Sequence, residues 1–260
     1  MKRPADLIAL IVLLGAAAIG PLVLLAVWSV SNGWLWPDIT PRGYSLRAWE
    51  YVFSSASTAL PALGTSTGLA LTVATASVLL ALPAAKTLAR HPRFTGRNAI
   101  FALLLLPVAA PPLASTLGLH RILLAAGLTD TLAGVALAHL VPALPYATLL
   151  LVGSFRRFDP ALEALARTLG ASPLRVWWSV ILPGIAPGLA TAFLLAFLVS
   201  WGQYLITLVI GGGRVVTLPL ELVAFQRGGD DGITAALSLI FVAPCLLAAF
   251  VGTRWLRPLR

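Results

Sequence analysis

Long runs without a charged residue dominate the chain and predict membrane-spanning helices. A helix needs about 20 apolar residues to cross the hydrocarbon layer of a bilayer. A charged side chain at mid-membrane costs about 2.5–3.5 kcal/mol, so each charge-free run marks one candidate crossing. None of the runs is long enough for two crossings and a turn. The pattern predicts six helices, over residues 7–30, 63–86, 98–119, 132–154, 186–210 and 233–255.

The composition indicates an all-α polytopic membrane protein and excludes other classes. Hydrophobic residues make up 59% of the 260 residues and charged residues only 10%, whereas soluble domains carry about 25% charged residues. An ordinary soluble domain and a disordered chain are therefore both excluded. The apolar runs are continuous, so they also lack the alternation over about 10 residues that a membrane β-barrel shows.

The basic residues predict how the helices are oriented. The formal net charge is +9, but in a membrane protein the positions of the charges matter more than their sum, and we expect no nucleic-acid partner. Six spans place both termini on one side, and that side holds 13 of the 18 Lys and Arg residues. Because cytoplasmic loops are rich in Lys and Arg, both termini are predicted to be cytoplasmic. The first helix is too long for a typical signal peptide and is expected to stay uncleaved.

The segment between the predicted fourth and fifth spans, residues 155–185, is patterned as helix, glycine turn and helix. Asp159 followed by Pro160 is typical of a helix start, and Gly170 is typical of a helix end. An apolar stripe at helical spacing lies between them, formed by Leu162, Leu165, Ala166 and Leu169. Such a stripe packs either on the protein's own helices or in the groove of a partner, and the residues alone leave both possibilities open.

This segment resembles the EAA loop of the membrane subunits of binding-protein-dependent ABC importers, the MetI-like family. The family pattern is Glu-Ala-Ala, three residues, Gly, nine residues, Ile, one residue and Leu-Pro. Aligned on Gly170, the counterparts in this chain are Ala164, Leu165, Ala166, Val180, Leu182 and Pro183. The glutamate of the pattern is therefore an alanine here, and Glu163, one residue earlier, is a partial substitute.

The resemblance implies a single transmembrane permease domain over residues 1–260, in the inner membrane of a bacterium. The implied arrangement is a first helix over 7–30, an external loop over 31–62, core helices over 63–255 and the coupling loop over 155–185. The implied partners are a second permease subunit, identical or homologous, a cytoplasmic ATPase dimer and an extracytoplasmic substrate-binding protein. Coupling to the ATPase would then fall to Asp159, Pro160, Leu162, Glu163, Ala164, Leu165, Ala166, Leu169, Gly170 and Pro183.

The chain itself offers no site for ATP hydrolysis. A P-loop requires a glycine-rich loop whose lysine reaches the phosphates. The two lysines are Lys2 and Lys86, and Lys86 follows Leu-Pro-Ala-Ala, which contains no glycine. We therefore expect no cofactor, no metal and no catalytic residue in this chain, with ATP and Mg used by the partner ATPase.

Polar residues inside the predicted spans are candidates for lining a substrate pathway. These candidates are His139, Tyr146, Ser200, Gln203 and Tyr204. Hydrogen bonding between helices is the usual role of each one singly, and the adjacent Gln203 and Tyr204 most favour a lining role. The outer segment 211–232 is similar to permeases of the polyamine, thiamine and ferric-iron importers, which implies such a cargo. The acidic residues Glu221, Asp230 and Asp231 would suit a cationic cargo or a basic docking surface.

Two other classes of protein are alternatives to a permease subunit. A stand-alone secondary transporter would need charged coupling residues within its spans, and apart from Lys86 and Arg254 at two span ends the predicted spans hold no charged residue. A membrane-embedded enzyme would need a convergent set of acid, base, metal ligand or nucleophile. One cysteine and three scattered histidines do not supply such a set.

Overall fold

The structure, a computed structural model, describes residues 4–34, 37–91 and 94–255. Its helices are α1 (Pro4–Ser29), α2 (Arg47–Val52), α3 (Ala59–Arg90), α4 (Arg97–Ala109), α5 (Pro112–Ala125), α6 (Leu132–Arg157), α7 (Pro160–Thr168), α8 (Pro173–Val176), α9 (Leu182–Trp201), α10 (Leu205–Gly211), α11 (Leu218–Gly228) and α12 (Asp231–Trp255). Two short antiparallel strands, β1 (Ser31–Asn32) and β2 (Gly43–Tyr44), follow α1. The predicted all-α class is confirmed.

The apolar length of the helices agrees with a polytopic membrane protein. Among the described residues, five helices are long and apolar enough to cross a bilayer, and the bent pair α4–α5 makes a sixth if it counts as one span. Four predicted spans, the first, second, fourth and last, correspond to α1, α3, α6 and α12 with ends shifted by up to four residues. The six-span arrangement thus depends on the bent pair crossing as a unit.

The predicted third span, 98–119, is wrong as a single straight helix. The axis turns by 104° between α4 and α5, and Ala110 between them has extended backbone angles, φ −74° and ψ 145°. Pro111 and Pro112 cause this break, because proline donates no amide hydrogen bond and disfavours helical angles at the residue before it.

The predicted fifth span, 186–210, is also divided. Helix α9 ends at Trp201 and α10 begins at Leu205, with Gly202 as the C-cap of α9. Before α9 the chain makes a π-helical turn over Trp177–Ile181. Pro183 has no amide proton to donate back into that turn, which fits the wider turn found there. The predicted outer loop 211–232 contains a further helix, α11.

The chain divides into two compact units. The first contains the described residues of 1–64 and 217–247, and the second those of 65–216 and 248–260. In the second unit α9 packs closely on α6 and on Phe158, the residue that follows α6. The approach is so close that a Cβ atom at Gly188 would overlap the side chain of Ser154, and one at Gly184 would overlap the ring of Phe158. Small residues four apart allow such close approach between membrane helices.

In the first unit, polar contacts join α11 and its C-terminal turn to the segment before α3. Arg47 donates from Nη2 to both carboxylate oxygens of Asp230, at 2.8 and 2.9 Å. The hydroxyl of Thr58 donates to Glu221 at 3.0 Å. Hydrogen bonding from Arg47 outweighs partial burial and holds the pKa of Asp230 below its ordinary value. Two of the three acidic residues that suggested a cationic cargo are therefore engaged within the protein.

Candidate functional site

Helix α7 begins and ends where the sequence predicts. The carboxylate of Asp159 accepts the amide proton of Ala161 at 2.9 Å, and Pro160 is the first helical residue. Gly170 has a φ of +82°, a left-handed conformation that glycine adopts without a Cβ clash. The predicted helix and glycine turn are both confirmed.

The leucine stripe of α7 faces away from the protein's own core. Leu162, Leu165 and Leu169 are 50%, 58% and 79% exposed, respectively, and Ala164 is exposed as well. The inner face of the helix carries Ala166, which packs partly buried against the core of the second unit. The sequence leaves open whether the stripe packs on the protein's own helices or in a partner's groove. In the structure, the three leucines do not pack on the protein's own helices.

Glu163 lies on the inner face of α7, so it does not take the outward position of the motif's glutamate. Its Oε1 accepts hydrogen bonds from Lys86 Nζ at 3.0 Å and from Arg167 Nη2 at 2.8 Å, and its side chain is only 14% exposed. Partial burial acts to raise the pKa of Glu163, but the hydrogen bonds and charges of the two cations outweigh it, and the pKa lies below its ordinary value. Ala164, at the motif's glutamate position, is the residue that faces outward.

Helix α8, which follows α7, begins in the same way, with an N-cap side chain and a proline at the first helical position. Ser172 is the N-cap of α8 and its hydroxyl accepts the amide proton of Arg175 at 3.4 Å, followed by Pro173 at the first helical position. The chain then continues through the π-helical turn into α9, and Pro183 is the second residue of α9. The motif's Leu-Pro therefore lies where the coupling loop ends and the span begins.

A cavity of about 350 Å³ in the second unit lies where both divided spans break. It is bordered by the α4–α5 bend, the middle of α6 and the α9–α10 break. Its polar lining comes from Ser115, Thr116, Tyr146 and Gln203. No charged side chain is among the described residues that line it. Of the five candidate pathway residues, the structure brings Tyr146 and Gln203 to this cavity.

His139 and Ser200 form a buried hydrogen-bonded network and are not among the residues lining the cavity. Nδ1 of His139 is 2.9 Å from the Ser200 hydroxyl, and Nε2 is 3.0 Å from the Thr207 hydroxyl. Thr207 in turn donates to the carbonyl of Gln203 at 2.8 Å. Tyr204 is the residue before α10, makes no side-chain capping hydrogen bond there, and does not line the cavity. Sequence reasoning missed Ser115, Thr116 and Thr207, and the adjacent prolines 111 and 112 were the available signal for the first two.

Comparison with known families decides the class of protein. A family described as binding-protein-dependent transport system inner membrane component matches residues 77–259, well over half of the chain. The chain belongs to this family. It is a permease subunit of an ABC importer, located in the inner membrane, and not a stand-alone secondary transporter or a membrane-embedded enzyme. Membership implies, in general terms, an ATPase and a substrate-binding protein as partners.

Relatives of this permease serve different cargoes. It is 35% identical over 226 residues to the molybdenum transport system permease protein ModB of Mycobacterium tuberculosis, covering 80% of the chain and 83% of the relative. It is 28% identical over 242 residues to the putrescine transport system permease protein PotI of Escherichia coli, covering 89% and 83%. A solved bacterial ABC transporter involved in the import of the acidic polysaccharide alginate shares its fold, with a TM-score of 0.73 at 18% identity over 98% of the chain and 99% of that chain.

Proposed function

We propose that this permease is driven by a separate cytoplasmic ATPase dimer and that α7 is the helix that docks on it. The observation that carries this proposal is the exposed leucine face of α7. Leu162 and Leu165 on the nine-residue helix, and Leu169 at its C-cap, present apolar surface to solvent. Removing apolar surface from water contributes a favourable free energy of about 25 cal/mol per Å², so a complex in which a partner covers this face is stabilised.

The rest of the coupling loop has a supporting role in this proposal. Asp159 and Pro160 fix the start of α7, and Gly170 lets the chain turn sharply towards α8. Glu163 and Ala166 hold the inner face against the permease, while Ala164 and the leucines remain available outside. Both termini and α7 then lie on the cytoplasmic side, in a single permease domain over residues 1–260 that pairs with a second permease subunit.

A single charged substitution on the leucine face tests this proposal. We expect Leu165→Asp to abolish co-purification of the ATPase, because an aspartate would be buried unpaired in the docking surface. Membrane insertion and the amount of permease should not change. The matched control is Leu46→Asp, since Leu46 is 60% exposed but lies in the predicted external loop. Retention of the ATPase by Leu165→Asp, or equal loss with Leu46→Asp, would refute the proposal.

The cavity at the two helix breaks is part of the translocation pathway in this proposal. Gln203 and Tyr146 each place a polar group at the lining. Gln203→Leu is expected to lower uptake without loss of the ATPase, since only the lining changes. Gln226→Leu is a suitable control because Gln226 is exposed and lies in α11, outside the cavity. Equal uptake by the two variants would contradict the assignment of the cavity.

The names of two relatives give molybdenum and putrescine as cargo, and the cavity lining favours an oxyanion such as molybdate over a polyamine. Hydroxyl and amide groups donate hydrogen bonds to the oxygens of an anion without needing a full charge. A polyamine would be expected to meet carboxylates, and the described lining supplies none. Isothermal titration of the binding protein encoded with this permease should give heat with molybdate and none with putrescine. The reverse pattern would assign a polyamine cargo.

A further inference from the structure

Helix α3 contacts the coupling helix α7 through side chains, although the two helices are not adjacent in the sequence. Helix α7 is connected directly to α6 and, through α8, to α9. Helix α3 precedes this region by about 70 residues, yet Lys86, near its C-terminal end, lies 3.0 Å from Oε1 of Glu163 on α7. This ion pair is therefore a direct contact between α3 and α7.

Lys86 contacts the far side of the coupling loop as well. Its Nζ lies 4.9 Å from the centre of the Trp177 ring, a distance at which an ammonium is attracted to an aromatic face. One turn later on the same helix, Arg90 donates to the carbonyl of Phe158 at 3.4 Å and lies over its ring. The end of α3 thus contacts the loop before α7, within α7 and after α8.

The Lys86–Glu163 pair is largely shielded from solvent, which separates it from an ordinary surface ion pair. The two side chains are 22% and 14% exposed, whereas Arg167, the other partner of Glu163, is 58% exposed. Exposed pairs contribute little because water and salt screen them. Loss of Lys86 removes the shielded partner and leaves Glu163 with only the exposed Arg167, whereas loss of Arg167 leaves the shielded pair in place. Breaking a shielded pair costs more than breaking an exposed one, so loss of Lys86 changes this contact far more than loss of Arg167.

We propose that Lys86 is a positioning residue for energy coupling, which ties α3 to the coupling helix through Glu163 and Trp177 so that the two helices move as one body. This inference rests on the proposed docking of the ATPase on α7. In it, Glu163 faces inward as an anchor to α3, while the leucine face of the same helix binds the ATPase. Loss of Lys86 leaves docking intact and uncouples α3 from the movement of α7.

Spin-label distances in the assembled importer test this directly, without knowledge of the cargo. The only cysteine of the chain, Cys245, is replaced by serine, and labels are attached to Leu79→Cys on α3 and Thr168→Cys on α7, both exposed positions. Distances are measured in lipid nanodiscs with the ATPase bound, first without nucleotide and then trapped with ATP, Mg and vanadate. The labelled complex is first checked for retention of the ATPase.

With Lys86 present, we expect the same mean distance in both states. In Lys86→Met the distance should differ between the states by about 2 Å or more, the scale of helix shifts at interfaces. Lys86→Arg keeps the positive charge and should behave as the parent, as should Arg167→Gln, which removes only the exposed partner of Glu163.

Two results would overturn the role of Lys86. The first is a distance that responds to nucleotide identically in Lys86→Met and the parent. The second is loss of the ATPase from Lys86→Met, which would place Lys86 in docking or folding. Failure of the proposed function has a different signature, namely an ATPase that stays bound to Leu165→Asp whatever the distances show.

Discussion

Replacing each exposed leucine of the α7 stripe with alanine should weaken ATPase binding. The loss of affinity should increase with the exposure of the leucine that is replaced. Burying a whole leucine side chain contributes about 1.5–3 kcal/mol, and Leu162, Leu165 and Leu169 leave 50%, 58% and 79% of their surface for a partner to cover. The expected loss is about 1 kcal/mol for each of the first two and nearer to about 2 kcal/mol for Leu169. These losses correspond to increases in Kd of about fivefold and about 30-fold, respectively.

The assay is the equilibrium binding of the purified ATPase to the permease in nanodiscs, measured by biolayer interferometry. Leu46→Ala is the matched control, because Leu46 is similarly exposed but belongs to the first unit. Thermal melting of each variant checks that the fold is retained. Increases below twofold at all three α7 positions would refute the argument from buried area, and so would an effect of Leu46→Ala as large as theirs.

Three further predictions concern stability, each measured by the thermal melting of the purified permease. Because the pKa of Glu163 lies below its ordinary value, its ion pairs contribute fully above about pH 4.3 and are lost as the pH falls through the folded-state pKa. The difference in Tm between the parent and Glu163→Gln should stay constant from pH 7 to about pH 5 and shrink below that, whereas a difference that vanishes by about pH 6 would contradict the ion pairs. Gly188→Ala should destabilise by about 1–3 kcal/mol through overlap with Ser154, and adding Ser154→Gly should restore the Tm; no restoration would place the strain elsewhere. His139→Ala should cost about 1–3 kcal/mol by removing the imidazole that hydrogen-bonds the buried Ser200 and Thr207 hydroxyls, and an unchanged Tm would show that the network does not stabilise the fold.

The local signals around α7 were sufficient to predict its structure because they act within a few residues. An N-cap carboxylate at Asp159, a proline at position 160 and a glycine at position 170 each fix backbone geometry by short-range hydrogen bonding or sterics. The direction of the apolar stripe was not predictable in the same way. Whether Leu165 packs inside or faces outside depends on which residues fold back against α7, and Lys86, which anchors the opposite face, lies 77 residues before Glu163.

The division of two spans shows where charge-free length is an incomplete guide. Hydropathy detects the apolar run 98–119 but carries no information on whether the backbone can stay helical. Pro111 and Pro112 stop a helix whatever the polarity of their neighbours. The break after Trp201 has a weaker local signal, since Gly202 alone does not end a helix. The residue that accompanies this break, His139, lies on another helix, in the first half of α6, and sequence patterns do not pair residues over such separations.

Of the candidate pathway residues, Tyr146 and Gln203 line the cavity, while His139 and Ser200 hydrogen-bond beside it. A break in a membrane helix releases backbone groups that must find partners inside the protein. At the α9–α10 break, the hydroxyl of Thr207 satisfies the carbonyl of Gln203, and His139 binds the hydroxyls of both Thr207 and Ser200. The histidine therefore stabilises the two sides of the break that brings Gln203 to the cavity. We therefore expect a change at His139 to alter the proposed pathway through the position of Gln203.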